Sequence, residues 1–169
     1  MVETLTFLAY LFGNMHKHEA PLEVASAALR NHQDIPTLYT CEGRNISLPL
    51  HWRHIPAGTQ SLALIMTDEA ASKGKRYLWA IYNIPVQQKQ LKTNPSLLRN
   101  ERYAINSWGH LRYDGPCGKP FRHPYVLKLY ALNTRFYFNK TISAAALKKA
   151  MRRHIIAFAK IKLKSSSQH

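Results

Sequence analysis

Residues 61–84, SLALIMTDEAASKGKRYLWAIYNI, decide the fold class of this chain. Residues 61–67 (SLALIMT) and 77–84 (YLWAIYNI) are short, apolar and rich in branched or aromatic side chains, so both read as buried strands. Asp68-Glu69 ends the first run and belongs at its mouth, where a polar loop begins. Working outward, residues 123–132 (HPYVLKLYAL) predict a third strand and 134–138 (TRFYF) a fourth. Pro124 lacks an N–H, which predicts an edge or a bulge at the start of the third strand. Pro36, Gly43, Pro49, Pro56-Ala57-Gly58, Gly74 and Pro85 punctuate the chain into short stretches. Residues 87–114 have little periodicity and predict a long irregular connection, the kind of segment that often carries function. The clearest helical pattern is C-terminal, over about 143–164. There Leu147, Met151, His154, Ile155 and Phe158 recur at helical spacing, with Lys148, Lys149, Arg152 and Arg153 on the other side. Thr141 or Ser143 would cap it. The expected fold is therefore mainly β, with an amphipathic C-terminal helix packed on a sheet.

Bulk properties restrict the function classes. The chain has 169 residues, 46% hydrophobic, which suits one domain and argues against disorder. Two cysteines exclude a disulfide-dense mini-fold, and no apolar run is long enough to span a bilayer as a helix. The net charge is +15, and residues 115–169 hold 12 Lys/Arg with no Asp or Glu. Such a charge suits nucleic acid, an anionic membrane or an acidic protein, or else a solvated surface. Residues 1–20 read as a poorly structured extension or short helix, 21–164 as the domain and 165–169 as a polar tail. Glu3 precedes the apolar run 5–12 and no Lys or Arg does, so a secretory signal is not indicated. A cytoplasmic location is expected, and a periplasmic one is the alternative if that segment is a degenerate signal.

Motifs for catalysis and metals are weak. There is no Gly-x-Ser-x-Gly elbow, no phosphate-cradling P-loop and no dinucleotide fingerprint. Cys117 and His123 are a Cys/His pair only by proximity in sequence. His16/His18 and His51/His54 lack Cys or carboxylate partners at ligand spacing. No enzyme activity, metal or cofactor is expected. A polar constellation remains: Asp68 at a strand mouth, the turn Tyr113-Asp-Gly-Pro-Cys117, and His123 and Tyr125 two apart on one strand face. Imidazole, phenol and backbone N–H groups beside one carboxylate suit a phosphate ester or similar anion.

At these residues the chain resembles the phosphatidylethanolamine-binding protein family, in its bacterial Raf-kinase-inhibitor-like branch. Tyr39-Thr-Cys-Glu-Gly43, then Pro49-Leu-His-Trp52, is similar to the family's Tyr-Thr-Cys-Asp-Gly and Pro-Leu-x-Trp. Pro56-Ala-Gly-Thr-Gln-Ser61, Trp79-Ala-Ile-Tyr-Asn-Ile-Pro85, Asn106-Ser-Trp-Gly109, Tyr113-Asp-Gly-Pro-Cys117, His123-Pro-Tyr125 and Leu129-Tyr-Ala-Leu132 follow in family order. The resemblance implies an antiparallel β-sandwich of Greek-key type with peripheral helices, and an anion pocket at one end of it. Carried over by residue, Asp68, His123 and Tyr125 would make polar contacts, Gly115 backbone contacts, and Trp79 and Pro116 the walls. The chain departs from the pattern where Ala70 replaces an Asp and Leu78 a His, which predicts altered anion specificity. The lost loop prolines predict a more mobile 69–76. Cys41 and Cys117 match family cysteines near the pocket end, and a reduced pair is expected in a cytosolic protein. The expected function is non-enzymatic binding of a small anionic ligand or phospholipid headgroup, by a monomer or homodimer. The alternatives are a kinase- or protease-inhibitor-like protein docking on an enzyme with an acidic surface and, after it, nucleic-acid or membrane binding through the basic face. Nucleic acid is the least favoured partner.

Overall fold

A computed structural model describes residues 20–29, 34–71, 75–98, 101–117 and 123–165. The extension before residue 20, the end of the tail, residues 72–74 of the 69–76 loop, and Lys119 and Arg122 lie outside them. The chain is mainly β. Its described strands are β1 (Glu23–Ala25), β2 (Asp34–Ile35), β3 (Leu50–Arg53), β4 (Ser61–Asp68), β5 (Arg76–Ile84), β6 (Gln90–Leu91), β7 (Arg102–Tyr103), β8 (Pro124–Leu132) and β9 (Ile155–Ser165). One α-helix, α1 (Ala144–Met151), precedes β9.

Strands β1-β3-β6 form a small sheet, and β2-β9-β8-β4-β5-β7 a large one. The large sheet is mixed, because β2 runs parallel to β9 while its other ladders are antiparallel. That corrects the wholly antiparallel expectation. β4 is buried along its whole length. Leu62, Leu64 and Met66 join Leu50, Trp52 and Leu91 of the small sheet in the main core. Ala63 and Ile65 point the other way, to a second core sealed by Leu147 and Met151 of α1. Burial on both faces explains why this strand reads as a continuous apolar run rather than an alternation.

The C-terminal helix expected over about 143–164 is shorter. Ser143 is the cap, its hydroxyl accepting from the Ala146 N–H at 3.1 Å, but the helix ends at Met151. Residues from Ile155 onward are strand, with Ala157, Ala159, Ile161 and Leu163 turned inward between exposed Phe158, Lys160, Lys162 and Lys164. β8 supplies a nine-residue edge for this period-two pattern, so tertiary pairing overrides the partial helical spacing. The fourth strand expected at 134–138 is absent. The Asn83 side chain stands in for a partner strand, donating to the Phe136 carbonyl at 2.7 Å and accepting its N–H at 2.9 Å. Pro124 is neither at an edge nor in a bulge. It opens central strand β8, the first-residue position where a missing N–H is tolerated.

Candidate functional site

Three neighbouring strands bring the polar constellation to one end of the large sheet. Asp68, the last residue of β4, lies opposite Tyr125 of β8 on one side and Arg76 of β5 on the other. Asp68 is 3% exposed and both of its oxygens are engaged. Oδ1 accepts the Ala70 N–H at 3.0 Å, closing a turn at the strand mouth. Oδ2 lies 2.9 Å from His123 Nδ1. A buried carboxylate accepts, so Nδ1 carries the hydrogen and Nε2 is the nitrogen left for a ligand. The His123 side chain is 32% exposed, enough to be reached from solvent.

Tyr125 is buried beneath it, with ring centroids 6.4 Å apart. Burial first, and then the Asp68 carboxylate, push its phenol up to about 12 against the pull of Arg76, so it stays a hydrogen-bond donor through neutral pH. Arg76 lays its guanidinium 5.5 Å from the Trp108 ring centroid. Trp108 is held there by its loop. Ser107 Oγ accepts the Tyr77 N–H at 2.8 Å, and the Ser107 N–H donates to the Tyr77 carbonyl at 2.9 Å. Asn106 Oδ1 accepts the N–H groups of Trp108 and His110, both at 3.0 Å. Asn106 Nδ2 donates to Asp114 at 2.7 Å, and His110 and Arg112 close on the same carboxylate at 2.6 and 3.2 Å. Burial would raise Asp114, but the hydrogen bonds from His110 and Asn106 and the Arg112 charge outweigh it and hold the carboxyl below its usual range.

The 113–117 segment is a strap. The Tyr113 hydroxyl donates to the Tyr39 carbonyl at 2.6 Å, the Asp114 N–H to Leu78 at 3.1 Å, and the Pro116 carbonyl accepts from Cys41 at 3.0 Å. Cys41 and Cys117 are bonded to each other with Cα atoms 5.2 Å apart, not reduced as expected. The bond also removes the only thiol near His123 in sequence. Gly115 does not offer its amide: the N–H donates to Asn45 Oδ1 at 2.7 Å. Its glycine character serves close packing instead, since a Cβ there would meet the Tyr39 carbonyl oxygen at 2.3 Å. Trp79 is fully buried, edge-on to Tyr113 at 5.5 Å, and Pro116 is buried. Both are buried and are not exposed walls. Leu78 is 1% exposed and packs in the core with Tyr113 and Tyr125, so it does not block His123.

The structure thus brings Asp68, His123 and Tyr125 together, while Gly115, Pro116 and Trp79 are buried and make their contacts with Asn45, Cys41 and Tyr113. Sequence reasoning missed Arg76 and Trp108. Their positions depend on the register across the β4–β5 hairpin, which has an irregularity between Met66 and Thr67, and on a loop thirty residues downstream. Among the described residues no group of three or more His, Cys, Asp or Glu could hold a metal ion. Cavities of about 470 Å³ beside Tyr82, Glu101 and Phe138 and about 380 Å³ beside Arg44, Asn94 and Arg112 lie elsewhere, lined by none of Asp68, His123 and Tyr125.

Residues 25–166 match the family model described as phosphatidylethanolamine-binding protein. A UPF0098 protein of Methanothermobacter thermautotrophicus is 35% identical over 144 residues, covering 83% of this chain and 95% of the relative. A UPF0098 protein of Aquifex aeolicus is 37% identical over 120 residues, covering 68% and 70%. Among solved structures, the phosphatidylethanolamine-binding protein homolog CT736 of Chlamydia trachomatis superposes with TM-score 0.78 at 25% identity, covering 88% of this chain and 99% of that one. Escherichia coli YbcL, described as a member of the mammalian PEBP family, gives TM-score 0.81 at 24% identity, covering 88% and 100%, a likeness of fold.

Proposed function

Because this chain belongs to the phosphatidylethanolamine-binding protein family, we propose that it is a non-enzymatic module that binds a small phosphate- or carboxylate-type anion at the Asp68–His123–Tyr125 end of the large sheet. The observation that carries this reading is the 2.9 Å contact of buried Asp68 with partly exposed His123. It orients the imidazole with Nδ1 inward, so that Nε2 meets the ligand. With Nδ1–H on Asp68, Nε2 donates to an anion when it too carries a hydrogen. The Tyr125 phenol, which stays protonated, and the Arg76 guanidinium complete a donor set of differing character. Free phosphate esters and phospholipid headgroups share this chemistry. The Cys41–Cys117 bond supports an oxidising compartment, in keeping with the periplasmic alternative.

The test is a thermal-shift and calorimetric titration with inorganic phosphate, phosphoethanolamine and a soluble short-chain phospholipid. At least one should stabilise the wild type, by about 2.7 kcal/mol when present at a hundred times its Kd. His123→Ala should abolish the shift and Arg76→Ala should weaken it. Absence of any shift across the three probes refutes the reading. A shift that survives His123→Ala refutes the site.

A further inference from the structure

The outer face of β9 and β8 concentrates positive charge, against which the Glu69 carboxylate acts on Lys128 and Lys148. Lys160, Lys162 and Lys164 follow one another at alternate positions of β9 and are all exposed. The register sets Lys160 opposite Lys128 of β8. Like charges directly across a sheet oppose folding. Lys148 of α1 joins them: burial, and then the charges of Lys75, Lys128 and Arg152, hold its ammonium below the usual lysine range. The carboxylate that acts on Lys148, that of Glu69, is already paired with Lys75. The start of the same strand is apolar and open. Ile156 is 39% and Phe158 53% exposed, and Lys128 Nζ lies 5.6 Å from the Phe158 ring centroid. A merely solvated face would need neither the matched like charges nor the bare aromatic side chain.

We propose that this face docks the protein on the anionic surface of a phospholipid bilayer. Three features select that partner. The charges on the strands are ammonium groups on flexible stems, which suit a diffuse headgroup layer, whereas phosphates fixed on nucleic acid favour the guanidinium fork. The lysines stand on the face of two paired strands, which presents them side by side to a planar surface. Phe158 has Lys128 above it and Tyr130 at 6.1 Å, so it is placed to enter an interface beside cations and not to stack on successive bases. Lys164 pairs with Pro124, next to His123, but the lysine positions alternate with that of Tyr125 and so take the other face of the sheet, and the inference does not depend on a ligand at Asp68–His123.

The test is flotation of the full chain with vesicles of phosphatidylcholine, alone or with one-third phosphatidylglycerol. Binding should require phosphatidylglycerol and weaken steeply with salt. Each lysine near an anionic surface is worth about fivefold in partitioning, so K160E/K162E/K164E should lose at least about a hundredfold. The control R44E/K89E/K92E makes the same change in net charge at exposed sites away from this face, and should lose less than about fivefold. Phe158→Ala should lower binding several-fold without altering its salt dependence. Single reversals at Lys160 and Lys162, each costing about fivefold or more, keep the test decisive if the triple variant does not fold. Equal losses in the two triple variants would mean that net charge alone acts, and would overturn the proposal. Equal binding to pure phosphatidylcholine would overturn it, and so would displacement of the vesicles from this face by a single-stranded oligonucleotide that binds it more tightly.

Discussion

Asp68 and Gly115 illustrate how differently single residues announce themselves. The role of Asp68 is local. It ends an apolar run, accepts the N–H two residues on, and so presents its second oxygen to whatever strand lies beside it. Its position at a strand mouth was legible for that reason, and the spacing of His123 and Tyr125 placed two partners on one strand. Gly115 was legible as special but not for the right reason. A glycine in a turn reads as freedom for a ligand to approach, yet what approaches is the Tyr39 carbonyl, 76 residues earlier in the chain. Gly115→Ala therefore tests packing and not ligand contact. With backbone on the far side of the 2.3 Å clash, there is no flexible side chain to yield. The expected loss is about 2 kcal/mol or more in urea unfolding, as for other overpacked sites. A loss under about 0.5 kcal/mol would contradict the close approach.

At the scale of elements, the run from residue 143 to 164 divides into a helix and a strand. Leu147, Met151 and His154 do recur at helical spacing, and the helix exists where they begin. Beyond Ile155 the same residues fit two periods, because Ile155 and Phe158 are three apart while Ala157, Ala159, Ile161 and Leu163 alternate. Alanines carry little weight in either pattern, which is why the helix read too far. The open edge of β8 settles the choice through a ladder from Pro124 to Leu132. Truncation separates the two arrangements. Leu163, 1% exposed, should cost about 2–4 kcal/mol on replacement by Ala, while Lys162→Ala should stay within about 0.5 kcal/mol. Equal small effects at both positions would show that this segment is not packed on β8. The consequence reaches function, since lysines that would have been scattered around a helix stand instead in a row.

At the scale of the whole molecule, the Cys41–Cys117 bond closes a loop of 76 residues that contains β3 to β7, and so ties the strap to the Tyr39–Cys41 segment it packs against. Closing so long a loop restricts the unfolded chain by about 4 kcal/mol in the chain-entropy account. The variant with Ser at both positions should unfold with a Tm about 10 °C lower than the oxidised wild type. It should also resemble the wild type treated with dithiothreitol. Matching melting curves for oxidised and reduced protein would remove the bond from the stability of the fold.

The sequence by itself determined the three long strands β4, β5 and β8, because burial on one or both faces leaves its mark in the chain. It determined the family and the end of the sheet where polar groups collect, because strand mouths and turns carry local chemical signatures. Tertiary structure alone decided what those groups meet. Arg76 reaches the site through strand register, and Trp108 through a loop clamped to Tyr77. Gly115 turns its amide to Asn45, and two cysteines 76 positions apart come within bonding distance. Most of the charge that first stood out as a composition belongs to the chain's last third, and part of it became a surface only when β9 paired with β8. A one-dimensional pattern records which face of an element is buried. It does not record which other element lies opposite, and that decides whether like charges become a patch.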